Sequence, residues 1–417
     1  MDFFGNIEDF WQWLDRLGLF KVKLGLERMD RALAKCCPGP LPFPVVQVLG
    51  TNGKGSTSTF LDSLARAHGI RAGLYTSPHF VSPRERILVN GAQLSGRDWL
   101  DCANRIMSLL PDGGDLSYFE FLTVLAVMLF KKHDAQLAII EAGLGGKNDA
   151  TTALDACMHV FTPIDMDHAA IIGPDLADIA RDKTAAIKPQ SQVLSAPQCR
   201  LAAEILLERA KACGAKIKFA PELSQNCATG LAGAHQRVNA GLACLAFEHI
   251  AGKLGIEPDA AAIAEGLEEA FIPGRLQKIR NDPPVLLDGG HNPHALGKVL
   301  PEARKILGEK ISLVFSALAD KDWRQMVEIL ARNFPQARFF VPTPDNPRAL
   351  AADVICGQIN SRLPGQARMV KDSGAAFRLA LDQGTPVLVI GSLYLLSEIY
   401  VKYPQYLLKT GAVSNEK

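Results

Sequence analysis

The stretch Val45-Val46-Gln47-Val48-Leu49-Gly50-Thr51-Asn52-Gly53-Lys54-Gly55-Ser56 decides how the rest of the chain is read. Residues 45–49 are apolar except Gln47, and three are β-branched, which is the pattern of a buried strand. The run stops at Gly50. A glycine-rich loop with one lysine, Lys54, follows. Beyond it Phe60, Leu61, Leu64 and Ala65 fall on one side of a helix. Strand, glycine loop and helix N-terminus together form a cradle of backbone N–H groups for an anionic phosphate chain, with the lysine as a point charge. Glycines are required because a Cβ would block so close an approach. The spacing departs from G-x-x-x-x-G-K-[ST]: Gly50 to Gly53 is shorter, and Gly55 separates Lys54 from Ser56. A plain strand–turn–helix connection is the alternative. With all three parts in place, the stretch points to a nucleoside triphosphate held by its phosphates.

Outward from this loop, strand-like and helix-like segments alternate. Strands are expected at 45–50, 72–76, 136–141, 158–163, 192–195 and 216–219. Helices are expected at 54–68, 97–110, 119–133, 175–187, 200–213, 236–251 and 258–270. Such alternation predicts a mainly parallel sheet covered by helices on both faces. Turn residues cluster at Ile272-Pro273-Gly274-Arg275 and Asn281-Asp282-Pro283-Pro284. The pattern then restarts, with strands at 285–288, 311–316, 337–341 and 386–391 and helices at 293–307, 323–333, 348–361 and 393–401. The reading is therefore an N-terminal domain over 1–276, a linker over 277–284 and a C-terminal domain over 285–417. Ligands of such domains sit beyond the carboxyl ends of the strands.

Bulk properties narrow the function. The 417 residues carry a net charge of +1, with 48% hydrophobic and 21% charged residues. This is an ordinary globular composition without the basic footprint of a nucleic-acid binder. The longest apolar run, 124–130, is far short of the roughly 20 residues that span a bilayer, so no membrane partner is expected. The acidic start Met1-Asp2-Phe3-Phe4 is unlike a signal peptide. Nine scattered cysteines without a C-x-x-C pair read as reduced thiols of a cytoplasmic protein.

Three further strand ends carry chemistry. Ile139-Ile140-Glu141 ends in a carboxylate, where phosphate-loop enzymes place a Mg²⁺ ligand. The glycines of Glu141-Ala142-Gly143-Leu144-Gly145-Gly146 are not a dinucleotide fingerprint, since no helix pattern follows directly. The strand after it ends at Asp165-Met166-Asp167-His168, and His168 is either a metal ligand or a loop histidine. Asp288-Gly289-Gly290-His291-Asn292-Pro293-His294 occupies the same strand-to-loop position in the second domain. Pro293 suits a first helical turn. Asp288 and His291 fit a nucleotide or catalytic contact better than a His291/His294 metal pair.

These pieces resemble the folylpolyglutamate synthase and dihydrofolate synthase family, within the Mur-type ligases. The marks cover nearly the whole chain: Leu24-Gly25-Leu26-Glu27-Arg28, the loop 50–56, Tyr75-Thr76-Ser77-Pro78-His79 with Glu85-Arg86-Ile87, Tyr118-Phe119-Glu120-Phe121, the 141–146 string with Asp149-Ala150-Thr151, Asp167-His168, Gly173-Pro174, Asp182-Lys183, Pro273-Gly274-Arg275, Asp288 to His294, and Ala319-Asp320-Lys321-Asp322. The resemblance implies an α/β, Mur-ligase-like architecture: a phosphate-loop ATP-binding parallel-sheet domain followed by a smaller Rossmann-like domain. It implies that ATP phosphorylates a carboxylate of dihydropteroate or of a reduced folate, and that the amine of L-glutamate attacks the acyl phosphate.

Carried over by position, Gly53, Lys54, Gly55 and Ser56 would cradle ATP, with Asn239, Arg275 and Asp288 as further contacts. Ser77 and Glu141 would hold one Mg²⁺ and His168 a second. Lys183 matches a lysine that the family carbamylates, an anion that would help hold the second metal. Lys183, His291 and Lys54 would be catalytic. Gly25, Leu26, Ser117, Tyr118, Phe119, Glu120, Asn148, Asp149 and Ala150 match the pterin-side pocket, where an aromatic ring can stack on a flat heterocycle. A monomer is the family expectation. The chain has Thr152 where the family often has Asn, and Asp288-Gly289-Gly290 in place of Asp-x-Ala. The region 190–235 matches poorly and carries no site. Two other readings stand beside this one. A cell-wall Mur ligase is disfavoured by the strings at 24–28 and 118–121. A nucleotide-binding module without ligase activity is disfavoured by Lys183, His168 and His291 together with a complete second domain.

Overall fold

The computed structural model describes residues 3–19, 23–167 and 172–409. They divide into two compact units, one of 1–229 with 237–270 and one of 230–236 with 271–417.

The first unit is built on an eight-stranded sheet. Its strands are β1 (Val45–Leu49), β2 (Ala72–Tyr75), β3 (Ile87–Val89), β4 (Ala92–Gln93), β5 (Leu137–Glu141), β6 (Met158–Phe161), β7 (Gln192–Ser195) and β8 (Lys216–Phe219), in the order β4-β3-β2-β5-β1-β6-β7-β8. β3 pairs antiparallel with both β2 and β4, and all other neighbours are parallel. All five residues of β1 are buried, which is why the sequence reads as an unbroken apolar run: helices cover a parallel sheet on both faces. The one polar exception, Gln47, donates its amide to Thr151 and Thr152 at 2.8 and 2.9 Å.

Register places the loops that matter side by side. Val48 lies opposite Glu141, Leu49 opposite Phe161, and Tyr75 opposite Ile140. Gly50, Glu141, Thr162 and Thr76 therefore leave the sheet at one edge. The helix Lys54–Ala67 follows β1 and is buried from Ser56 to Ala65. Its partner Ala260–Glu269 packs so close that a Cβ on Gly266 would lie 2.9 Å from the Leu64 Cα. The helix Tyr118–Lys132 begins with a capping box, Ser117 with Glu120. Two helices not anticipated from the sequence, Ile7–Arg16 and Glu27–Cys36, pack onto it, with the Phe10 ring 5.9 Å from Phe121.

The second unit holds a six-stranded sheet of β9 (Gln277–Asn281), β10 (Pro284–Leu287), β11 (Ser312–Phe315), β12 (Arg338–Pro342), β13 (Ala367–Val370) and β14 (Val387–Ile390). The order is β13-β12-β11-β14-β10-β9, with only β9 antiparallel. Its core gathers Leu286, Leu313, Phe315, Phe339 and Leu388 with Phe334 and Met326. Two expectations are corrected here. Residues 277–284 are not a linker: 277–281 are an edge strand joined to β10 through a cis Asp282–Pro283 bond, and Gln277 is fixed by Gly274 N–H and Tyr400 OH. The helix expected at 348–361 starts at Ala352, because Ala349 bridges to Leu318 and Leu350 N–H donates to Ala317. β13 and the helix Ser373–Leu381 were not foreseen.

Among the described residues no helix is long and apolar enough to cross a membrane.

Candidate active site

The phosphate loop has the shape its glycines foretell. Gly50 and Gly53 adopt φ of 133° and 91°, which L side chains rarely take. A Cβ on Gly50 would collide with Thr162, and one on Gly53 with the Asn239 side chain. The structure thus sets Asn239, buried, against the loop it was expected to serve. The loop is pinned from outside by Thr51: its hydroxyl donates to Asp165 O and accepts from Asp165 N–H, both at 2.9 Å. Lys54 is half-buried, and its ammonium donates to the carbonyls of Gly50 and Thr51 at 3.3 and 3.2 Å. These are weak, neutral acceptors at the rim of the cradle, which a phosphate would outcompete.

Glu141 ends β5 with 4% exposure. Its carboxylate accepts the Ser77 N–H at 3.0 Å, and a Cβ on Gly55 would lie 3.5 Å from it. Ser77, Glu141 and the start of the Lys54 helix therefore converge. A buried carboxylate and a hydroxyl are hard oxygen donors, the chemistry that suits Mg²⁺ or Mn²⁺, so the residues present fit the ion. Among the described residues no three His, Cys, Asp or Glu side chains group as a metal cluster. His168, expected to hold a second ion, lies outside the described residues.

Lys183 sits on the helix Leu176–Thr184 with 2% exposure. Its ammonium donates to Leu144 O at 2.9 Å. Burial, and after it the charge of Lys54, pushes its pKa down to about 7, against the opposing pull of Asp149, Asp182 and Asp167. The helix approaches the 143–147 loop closely, since a Cβ on Gly146 would meet the backbone of Asp182 and Lys183. Asp182 locks this contact by accepting Gly146 N–H at 2.9 Å.

The residues expected around a heterocycle separate into two groups. Phe119 is half-exposed, stacks on Tyr75 at 5.6 Å and lies over Gly143, where a Cβ would touch its ring at 2.8 Å. Gly25 and Leu26 are half-buried before the helix Glu27–Cys36, and Asn148 is half-buried in its loop. Ala150 is 5% exposed. The others make contacts within the chain. Tyr118, 2% exposed, is a core ring under Arg86. Ser117 and Glu120 cap their helix, and Glu120 also pairs with Arg28 at 2.8 Å. One Asp149 oxygen accepts the N–H groups of Leu144 and Gly145, and the other takes Thr151.

In the second unit, Asp288 is 2% exposed and acts as a clamp. Its oxygens accept Leu276 N–H at 2.8 Å and Gly290 N–H at 2.7 Å. Burial raises its pKa, opposed by Arg275 and these two N–H groups. The clamp holds Leu276 at a φ of 44°, next to half-buried Arg275. His291 bonds Gly289 O through Nδ1 at 2.9 Å. A carbonyl oxygen only accepts, so Nδ1 is the donor in this bond. His235, not singled out in the sequence, lies near Arg275, Lys298 and His294. Burial and then Arg275 lower its pKa to about 4.

Residues 274–393 match the family model "Mur ligase, glutamate ligase domain". The chain is 30% identical over 416 residues to the "Probable bifunctional folylpolyglutamate synthase/dihydropteroate synthase" of Haloferax volcanii; the match covers 91% of this chain, which spans about half (48%) of that longer protein. It is 30% identical to the dihydrofolate synthase/folylpolyglutamate synthase of Bacillus subtilis, over 95% of this chain and 99% of that protein. The fold is similar, with a TM-score of 0.84 and 26% identity, to the bifunctional folylpolyglutamate synthase/dihydrofolate synthase of Yersinia pestis solved with AMPPNP and a Mn ion, covering 96% of this chain and 98% of that one. With a near full-length relative at this identity and the same two-unit α/β fold, the chain belongs to the folylpolyglutamate synthase/dihydrofolate synthase family.

Proposed function

We propose that this chain is an ATP-dependent carboxylate–amine ligase that adds L-glutamate to dihydropteroate, to the glutamate tail of reduced folates, or to both. The observation that carries the reading is the convergence of Lys54, Glu141, Ser77 and the buried amine of Lys183 at the carboxyl edge of one sheet.

A carboxylate is a poor acylating agent, so it is activated first. One of its oxygens takes the γ-phosphoryl group of ATP, forming an O–P bond as the bond to ADP breaks. The glutamate amine then attacks the acyl carbon. A C–N bond forms, phosphate leaves with the C–O electrons, and the amine loses a proton. The loop N–H groups and Lys54 position and neutralise the phosphates. Ser77 and Glu141 would hold one Mg²⁺, and His168 with a carbamylated Lys183 would hold a second; such ions would supply further neutralisation of phosphate charge. The lysine chemistry follows from its setting. Carbamylation needs a neutral amine, which attacks CO₂ to form an N–C bond and releases a proton to water. An amine with a pKa near 7 is largely able to do so. The product is an anion, so its interaction with Lys54 turns from repulsive to attractive. Phe119 stacks on the heterocycle. Within the second unit, Arg275, held beside the Asp288 clamp, and His291 are the groups with the chemistry for an anionic ligand. A cytoplasmic monomer completes the reading.

The test is phosphate release from ATP with separate additions. Release should require both a pteroate or folate acid and L-glutamate, and the product mass should rise by one glutamyl residue. Release that ignores the acid, or turnover of a nucleotide-sugar peptide instead, would overturn the assignment.

A further inference from the structure

Arg86 is the one buried arginine among the described residues, at 4% exposure. Taking a guanidinium out of water costs several kcal/mol unless it is paired, yet among the described residues no carboxylate pairs with it. Its partners are the Nδ1 of His79, which accepts from Nε at 2.8 Å, and the ring of Tyr118, whose centroid lies 5.4 Å away. Because His79 Nδ1 accepts, its imidazole is the neutral Nε2–H tautomer.

This cation stands at the end of a strap. Residues 76–86 connect β2 to β3, and the strap closes on Arg86, whose carbonyl accepts Thr76 N–H at 2.9 Å. The middle is gathered by Glu85, whose carboxylate accepts the N–H groups of Phe80, Val81 and Ser82 at 2.7, 2.8 and 2.6 Å. Arg84 ties the outside to Leu94 O at 2.9 Å. The front of the strap, Ser77-Pro78-His79, has two fastenings: Ser77 N–H on Glu141 and His79 on Arg86. A bond between Nε and Nδ1 fixes both the direction and the distance of His79. Tyr118, next to Phe119, fixes Arg86 in turn through its ring face.

We propose that the Arg86–His79 pair is the positioning device of the metal site, holding the front of the strap so that Ser77 stays beside the Glu141 carboxylate. The inference rests on reading Ser77 and Glu141 as Mg²⁺ ligands. Arg86 and His79 touch neither substrate nor ion; they act through Ser77.

The experiment follows glutamate-dependent phosphate release against Mg²⁺ concentration, with Tm measured alongside, for Arg86→Met, Arg86→Lys, His79→Phe, His79→Asn and Ser77→Ala. Loss of an orienting partner behind a metal ligand costs about 10- to 100-fold in metal affinity. Arg86→Met and His79→Phe should raise the Mg²⁺ midpoint by about that factor, with kcat recovering at saturating Mg²⁺. His79→Asn keeps an acceptor near the Nδ1 position and should stay close to wild type. Should Arg86→Met fail to fold, Arg86→Lys carries the test, since it keeps the charge over Tyr118 but not the Nε geometry. A lowered Tm with an unchanged midpoint in His79→Phe would make the pair merely structural and overturn the proposal. So would an Asn variant no better than Phe. If Ser77→Ala also leaves the midpoint unchanged, the metal reading itself falls, and the positioning role with it. If Ser77→Ala shifts it while the pair variants do not, only the positioning role falls.

Discussion

Replacing Lys183 by Met should make the protein more stable and inactive at once. The folded state holds this amine at a pKa of about 7, against 10.5 for an ordinary lysine. The sign follows from proton counting. Between those values the unfolded chain binds a proton that the folded chain lacks, so stability rises with pH across the window and is lowest below it. With these two values the linkage relation gives a penalty of about 4 kcal/mol at pH 7, falling to about 2 kcal/mol at pH 9. Met keeps the length of the stem and removes the charge. Against the gain stands the bond to Leu144 O at 2.9 Å, whose loss costs about 1 kcal/mol. The net expectation is a stabilisation of about 3 kcal/mol at pH 7 and about 1 kcal/mol at pH 9.

The assay is urea unfolding in CO₂-free buffer, followed by tryptophan fluorescence. Three of the four tryptophans, Trp11, Trp13 and Trp99, belong to the first unit, so a Trp323→Phe background reports that unit alone. The pH dependence is the sharper readout, because packing effects of Met are the same at both pH values and cancel. Added bicarbonate should stabilise the wild type and leave Lys183→Met unmoved. A variant less stable than wild type at pH 7, or a difference between the two that does not shrink toward pH 9, would refute the idea that this amine is held at a cost.

Lys54→Ala should cut turnover by more than tenfold with an unchanged circular dichroism spectrum, because a lost charge-assisted phosphate contact is worth about 2–3 kcal/mol. Glu141→Gln should shift the Mg²⁺ titration upward at near-constant Tm, since it keeps shape and removes charge; an unmoved titration places the ligand elsewhere. Gly53→Ala should weaken nucleotide binding and cost at least 1–2 kcal/mol from its left-handed backbone alone, with the clash against Asn239 in addition, measured as urea stability and ADP affinity. His159 is fully buried in β6, and burial holds its pKa at about 4 against 6.5. The unfolded state therefore binds the extra proton as pH falls, and wild type should lose about 2 kcal/mol between pH 7 and 5 that a His159→Leu variant keeps.

The parts of the fold that were legible are those buried on both faces. β1, β5, β6, β10 and β14 read as mainly apolar runs because helices cover them on each side. Edge strands lack that signature. β9 reads Gln-Lys-Ile-Arg-Asn and β13 Ala-Arg-Met-Val, with mixed exposure, and each has one pairing neighbour. Polar residues at an edge suppress unwanted pairing, and they also erase the pattern from which a strand is read. The helix Ile7–Arg16 was missed for a different reason. Its signals were present, with Asn6 as cap, Glu8 and Asp9 in the first turn, and Phe10 and Leu14 one turn apart. Ten residues, however, give too few turns for the period to stand out.

For the site, the difficulty lay in telling carboxylates that bind ligands from carboxylates that bind the chain. Glu120, Asp149 and Asp288 all stand in strings that look functional, yet each gives its oxygens to backbone N–H groups or to Arg28. The distinction has a local signature. Ser117 three residues before Glu120 is a capping box. Asp149 and Asp288 each bind the N–H two residues on, at Thr151 and Gly290, which is an Asx turn. Glu141 instead ends a buried strand, where the next N–H, of Ala142, donates to Val48 O in the sheet. The same reasoning separates Lys183 from the surface lysines. A helix has no need of an ammonium at 2% exposure whose bond is to a carbonyl, beside a second lysine. Charges that stabilise the fold sit where folding satisfies them. Lys183 sits where folding works against it, and a site that must gather phosphates, carboxylates and metal ions is where such a charge has a use.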